Sequence, residues 1–284
     1  MIRFGPAAAP RWFDCDLAQF PAYLDHIASH GATAIEFVAL PEIGTPENRR
    51  VHISEPDWPG HVAAAHAAGL TINVHWPLLP GYRLETFQSA SNVFGEHARH
   101  ILAMVDRVSA GQAVPPKLVL HGNSESWVAT QSALSEIQRL SSDSLQIVLE
   151  QRAPQSAGDQ RWDRSLESLT RTLAEGPDRR TGVCWDIAND FLREADVQFP
   201  EDSALSLIRH IHLHDSRPDR AVHAPLGVGR VPWQNMLILL RERDWNGSLT
   251  LEIRYRYACE VGEPWTVLAD SLDKVRHVLL EEKS

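Results

Sequence analysis

A (β/α)8 barrel is the fold class predicted by the 284-residue chain. Three observations predict it. Eight short, apolar, β-rich runs alternate with longer segments of helical period. The internal runs are apolar on both faces, as parallel strands covered by helices require. The length suits eight strand–helix units. A doubly wound open sheet is the competitor. No G-x-G-x-x-G follows the first run, however, and no G-x-x-x-x-G-K occurs anywhere. No linker or low-complexity segment is evident, so one domain over residues 1–284 is expected.

The elements follow in order. "IRF" from Ile2 is the first strand, and "LAQFPAYLDHIASHG" is a helix closed by a C-cap at Gly31. "AIEFVAL" from Ala34 is the second strand, and "HVAAAHAAG" is a helix ending at Gly69. "TINVHW" from Thr71 precedes a helix over Asn92–Ala110, and "KLVLHGN" from Lys117 precedes one over Ser132–Leu140. "LQIVLEQ" from Leu145 and "TGVCWDIAN" from Thr181 flank a helix over Trp162–Glu175. A short helix over Ala204–Ile208 leads to "HIHLHDS" from His210. Helices over Pro232–Arg243 and Pro264–Glu282 flank the last strand, "LTLEIR" from Leu249. "RAPQSAGDQRW" and "DSRPDRAVHAPLGVGRVPW" are long polar loops after the fifth and seventh strands. In a barrel both lie on the C-terminal face, where active sites are built.

Composition excludes several function classes. The chain is 43% apolar and 23% charged, with a formal charge of −10. That balance repels polyphosphate, so no extended nucleic-acid binding is expected. Cys15, Cys184 and Cys259 are scattered, odd in number and without a C-x-x-C pair, so neither a disulfide framework nor a thiolate zinc knuckle is indicated. The start, "MIRFGPAAAPRW", does not read as a signal peptide, and no apolar run approaches a membrane span. The expected setting is cytoplasmic, and the expected partner is a small-molecule substrate. A homodimer is compatible with this composition.

The strand ends carry the chemistry. His75 ends the third run, His121 the fourth, Glu150 the fifth, Asp186 the sixth, His212 and His214 the seventh, and Glu252 the eighth. Each has a bland reading alone. A strand-end histidine is usually a hydrogen-bonded structural residue, Asp186 could cap a helix, and Glu150 and Glu252 could pair with Arg152 and Arg254. Together they resist that reading. Buried carboxylates converging on one barrel mouth repel one another unless a cation sits between them. Imidazoles beside carboxylates suit Zn2+ or Mn2+. Within "HIHLHDS", the three histidines share one face of the pleat. His212 is the expected ligand and His210 is expected in the barrel or its wall. His214 begins the loop, and Asp215 is expected to orient an imidazole by accepting its free N–H. Trp76, Trp127, Trp185 and Trp233 could wall the pocket, although core packing is the commoner fate of a tryptophan.

"VHWP", "LVLHGN", "IVLEQ", "VCWDIAN", "IHLHDS", "HAPLGVGRVPW" and "LTLEI", in this order, resemble the xylose-isomerase-like TIM-barrel superfamily. It comprises sugar and inositol isomerases and epimerases and the endonuclease IV type of apurinic-site endonuclease. The resemblance implies a metal quartet of Glu150, Asp186, His212 and Glu252. In the endonuclease branch His75 and His121 join Glu150 around a second metal, and His223 matches a ligand of a third. Two departures oppose a third ion: Asn189 stands where the family has histidine, and Ala221 where it has aspartate. The implied activity is a metal-dependent isomerase or epimerase of a sugar, polyol or sugar phosphate. Glu150 and Glu252 would be its acid and base, and His75, His121, Arg217 and His223 its substrate contacts. The alternative is a di-zinc hydrolase of a phosphodiester or phosphate ester. A metal-dependent lyase is a third class.

Overall fold

Strand formation and closure follow the expected pattern. The structure is a computed structural model. It describes residues 2–8, 20–38, 58–77, 84, 92–123, 126–142, 145–153, 159, 161–176, 180–193, 198–217, 219 and 222–280. Strands β1 (Arg3–Ala8), β2 (Ala34–Val38), β3 (Thr71–His75), β4 (Lys117–His121), β5 (Gln146–Glu150), β6 (Thr181–Asp186), β7 (Ile208–Leu213) and β8 (Ser248–Leu251) are parallel. They close in chain order, β1 pairing with β8. A doubly wound sheet is thereby excluded. At the β1–β2 seam a Cβ on Gly5 would lie 1.6 Å from the Ala34 carbonyl oxygen, so only glycine admits this approach.

The helices are α1 (Phe20–Ser29), α2 (Trp58–Ala67), α3 (Asn92–Ser109), α4 (Trp127–Leu140), α5 (Leu166–Glu175), α6 (Ile187–Arg193), α7 (Asp202–Leu205), α8 (Trp233–Glu242), α9 (Tyr255–Val261) and α10 (Pro264–Leu280). Caps explain two boundary differences. Ser126 Oγ accepts the Ala129 N–H, so α4 begins before the expected Ser132. Ser165 Oγ accepts the Ser168 N–H, so α5 begins after the expected Trp162. The helix expected over Ala204–Ile208 is shorter, because Ile208 already belongs to β7. Helices α6 and α9, each 7 residues, were not expected, being too short to show a period. The first residues of "LAQFPAYLDHIASHG", the end of the helix expected to Glu282, Cys15 and Ala221 lie outside the described residues.

Two apolar regions divide the work. The large one joins the outer strand faces to the helices, with Ile35, Ile72, Leu118, Leu149, Trp185, Ile211 and Leu249 among its strand residues. Inside the barrel the apolar cluster among the described residues is Val119, Val148 and Cys184. The rest of the lumen is polar and buried, including Glu36, Asn73, Lys117, His210, Ser248 and Thr250. Burial and the Arg3 and Arg209 charges bring the Lys117 ammonium down to about 8. Trp185 points outward, its Nε1–H donating to Asp190 Oδ2 at 2.9 Å, and Trp233 is buried at the start of α8.

Candidate metal centre and active site

Register sets the site. His121 lies opposite Glu150 across β4–β5, and Asp186 opposite His212 across β6–β7. A register shift between Val183 and Cys184 brings Asp186 level with His212. Glu252 follows β8, its N–H donating to the Leu213 carbonyl at 3.0 Å. Oxygens of Glu150, Asp186 and Glu252 lie within 4.8 Å of one another. His212 Nδ1 stands 3.3 Å from both Glu150 Oε1 and Glu252 Oε2. The four expected ligands therefore converge. Asp186 and His212 are fully buried.

Glu150 is the hub of a second group. His75 Nε2 and His121 Nε2 approach its Oε2 at 3.0 and 3.1 Å. His75, His121 and Glu150 also have ligand atoms mutually within 4.8 Å. His75 Nδ1 lies 2.7 Å from the Trp76 carbonyl, which can only accept, so this nitrogen carries the proton. A neutral His75 therefore turns a lone pair on Nε2 toward a carboxylate. That contact is favourable only with a proton or a cation between the two atoms.

The three histidines of the "HIHLHDS" run separate by their partners. His210 is deepest, with Nδ1 2.6 Å from Ser248 Oγ and Nε2 2.7 Å from Glu36 Oε2. His214 Nδ1 accepts the His223 N–H at 3.0 Å, so its Nε2–H donates to Asp186 Oδ2 at 3.2 Å. That ring is satisfied while neutral and orients Asp186. Asp215 does not orient an imidazole as expected. Its carboxylate accepts the backbone N–H groups of Ser216, Gly227, Gly229 and Val231 at 2.8, 2.9, 2.9 and 3.1 Å. It folds the β7–α8 loop because those four donors converge on it. A Cβ on Gly229 would lie 2.0 Å from the Ser216 carbonyl oxygen, which keeps that turn glycine.

Proton affinities follow the charges. Burial alone would raise Glu150, but His121 and His212 hold it well below the usual carboxylate range. Glu36 is likewise held low by His212 and His210 against burial. Burial works against protonation of His75, His212 and His214, yet nearby carboxylates raise all three: Glu150 for His75, Glu252 with Glu150 and Glu36 for His212, Asp186 for His214. His210 drops to about 4 and His223 well below normal, in both cases chiefly by burial.

His223 sits on the loop organised by Asp215. Its φ of 65° is left-handed, a strained conformation for a side chain of this size. Its ring centroid is 4.3 Å from that of His214, and its Nδ1 is 3.6 Å from Glu252 Oε2. His214, His223 and Glu252 form a third cluster with ligand atoms within 4.8 Å. Asn189 has structural bonds instead: its N–H caps Asp186 Oδ1 at 3.0 Å and its Nδ2 donates to the Gln151 carbonyl at 3.3 Å. Arg217 lies at the rim, paired with Glu260 and 5.2 Å over the Tyr257 ring of α9. The described contacts do not bring it among the convergent groups.

Glu36 was not anticipated. It is fully buried on β2, yet contacts His210 and His212 on β7 at 2.7 and 3.2 Å. Strands β2 and β7 are not neighbours, so these contacts cross the lumen. The only sequence signal was a lone carboxylate inside "AIEFVAL".

The residues fit a divalent cation. Both ring nitrogens of His212 are buried without an aligned hydrogen bond, although carboxylate oxygens stand 3.2 and 3.3 Å away. Three carboxylates and a nitrogen donor at one place supply the oxygen and imidazole set of Zn2+ or Mn2+. No described helix is long and apolar enough to cross a membrane.

Comparison with known proteins gives the same fold. Among solved structures, D-psicose 3-epimerase from Clostridium cellulolyticum H10 superposes with a TM-score of 0.70 at 16% identity, over 98% of this chain and 99% of that one. L-ribulose 3-epimerase gives 0.69 at 14% identity, over 100% and 99%. The 3-keto-D-glucoside 4-epimerase of E. coli gives 0.63 at 13%, over 97% and 99%. At such identities the likeness establishes the fold. Among curated proteins no sequence matches the chain. The family profile described as xylose isomerase-like TIM barrel matches residues 24–277. The chain belongs to that family.

Proposed function

We propose that the protein is a metal-dependent epimerase or isomerase of a small sugar or polyol, or of a sugar phosphate. One observation carries the reading: Glu150, Asp186 and Glu252 converge beside His212 Nδ1 in the floor of a barrel mouth. The similarity to sugar epimerases supports it. Glu150, Asp186, His212 and Glu252 would hold the ion. When bound there, Zn2+ or Mn2+ supplies charge that polarises a carbonyl and favours loss of a proton from the adjacent carbon.

The chain's own groups then handle the proton. Glu150 and Glu252 exchange it at a carbon of the substrate, one carboxylate oxygen accepting it and the other returning it to the opposite face. Positioned transfer of this kind contributes roughly 10^2- to 10^4-fold. His75 and His121 face Glu150 Oε2, which orients that carboxylate and leaves Oε1 directed toward His212. His121 and His223 have side chains 13% and 14% exposed and so meet the substrate hydroxyls first.

A second reading rests on the His75–His121–Glu150 cluster. Two zinc ions there and on the quartet would suit hydrolysis of a phosphodiester or phosphate ester. Metal-loaded protein incubated with D-psicose, D-tagatose or L-ribulose in D2O separates the two. Deuterium entering carbon 3, with one tight ion per chain, supports the epimerase. No exchange on any sugar of the panel, together with two zinc ions and cleavage of a generic phosphodiester, replaces it with the hydrolase.

A further inference from the structure

Beneath the mouth, hydrogen-bond donors run along the lumen and end on one carboxylate. The Lys117 N–H donates to Asn73 Oδ1 at 3.1 Å, and Asn73 Nδ2 donates to Ser248 Oγ at 3.3 Å. The other ring nitrogen of His210 faces a carboxylate, which only accepts, so Ser248 turns its hydroxyl proton to His210 Nδ1 at 2.6 Å. That leaves His210 with its proton on Nε2, 2.7 Å from Glu36 Oε2. The Thr250 hydroxyl donates to the same oxygen at 3.1 Å. Oε2 of Glu36 is thus saturated, whereas Oε1 is buried with no aligned partner. It faces His212 Nε2 at 3.2 Å, which is buried and equally without one. A buried acceptor and a buried ring nitrogen in that relation satisfy each other only if the nitrogen carries the proton.

We propose that Glu36 is a positioning residue: it holds the His212 proton on Nε2, so that the Nδ1 lone pair is presented where Glu150, Asp186 and Glu252 converge. The inference rests on the metal-site reading above. In chemical terms it is a carboxylate behind a ligating imidazole. Such a carboxylate fixes the tautomer and the ring angle, and its loss typically weakens metal binding by roughly 10- to 100-fold. His210 has a different task. It is the donor that occupies the other oxygen of Glu36 and keeps the carboxylate from rotating.

Glu36→Gln is the informative change. It keeps the shape but turns one of the two oxygens into an N–H donor, so one of the two imidazoles must lose its acceptor. The test uses 15N-histidine-labelled protein loaded with Zn2+, alongside calorimetric titration with Mn2+. In the unaltered chain the His212 ring N–H is expected on Nε2, slow to exchange and shifted downfield by its carboxylate acceptor. In Glu36→Gln that resonance moves upfield, and Mn2+ affinity falls roughly 10- to 100-fold with one ion still bound. Glu36→Asp restores part of it.

A proton found on Nδ1 of His212 in the unaltered Zn2+ form overturns the proposal, and this measurement does not depend on the variant folding. So does Glu36→Gln that binds Mn2+ within twofold of the unaltered chain while its thermal midpoint alone falls. If the unaltered chain binds no divalent ion at all, the metal-site reading itself has failed.

Discussion

Asp215 is the residue whose removal the structure prices most clearly. Its two oxygens each accept two backbone N–H groups: Ser216 and Val231 on Oδ1, Gly227 and Gly229 on Oδ2. Hydrogen bonds to a charged acceptor are each worth about 1.5–3 kcal/mol, and a buried donor left unsatisfied costs about 1–3 kcal/mol. Ser216 and Val231 are buried, whereas Gly227 is exposed. In Asp215→Asn the amide NH2 therefore turns to the Gly227–Gly229 side, where water can replace the lost bonds. That side yields a loss of about 2–3 kcal/mol. Asp215→Ala removes all four acceptor contacts, including the two that water does not reach, and the loss is about 5 kcal/mol. Urea unfolding of the two variants measures the difference directly. The reasoning requires Ala to cost at least about 2 kcal/mol more than Asn. Equal losses, or both below about 1 kcal/mol, would show that the loop does not depend on this carboxylate. The same loop carries His223, so both variants are expected to lose turnover as well.

Other expectations follow from the site. Glu150→Gln is expected to lower turnover by at least about 10^2-fold under either the epimerase or the hydrolase reading; retained activity would remove Glu150 from the mechanism. His212 holds its proton more tightly than a free imidazole, so an incoming ion must expel that proton. Mn2+ affinity should therefore fall as pH drops through neutrality, by about tenfold per unit, with about one proton released. Titration calorimetry in two buffers checks it, and affinity unchanged from pH 8 to pH 6 would contradict it. His121→Asn is expected to reduce turnover while leaving one tight ion per chain, because His121 contacts Glu150 from outside the quartet. Loss of the ion in that variant would place His121 among its ligands.

Much of the barrel and most of its mouth were legible in the residues. Apolar runs that end in a lone carboxylate or imidazole, as at Glu150, Asp186, His212 and Glu252, mark strand tips, since such groups are costly within the strand itself. The alternation of His210, His212 and His214 placed them on one face, His210 in the barrel and His214 at the loop, but could not say what holds each ring there. Partners decide that: Glu36 and Ser248 below, the glutamates at the middle, Asp186 above. Glu36 was hidden because its partners lie far along the chain and across the lumen. Asp215 was misread because its four donors come from a turn whose geometry no local pattern encodes. Arg217 stood out in its loop as a cation, yet its contacts are with Glu260 and Tyr257 of α9 and with Asp219 of its own loop.

Anomalous diffraction from crystals of protein purified without chelator tests the central claim most directly. One strong peak, at the edge of zinc or manganese, should be bounded by Glu150, Asp186, His212 and Glu252. A map in which Asp186 and Glu252 share no ion, with any bound metal lying elsewhere, would contradict it.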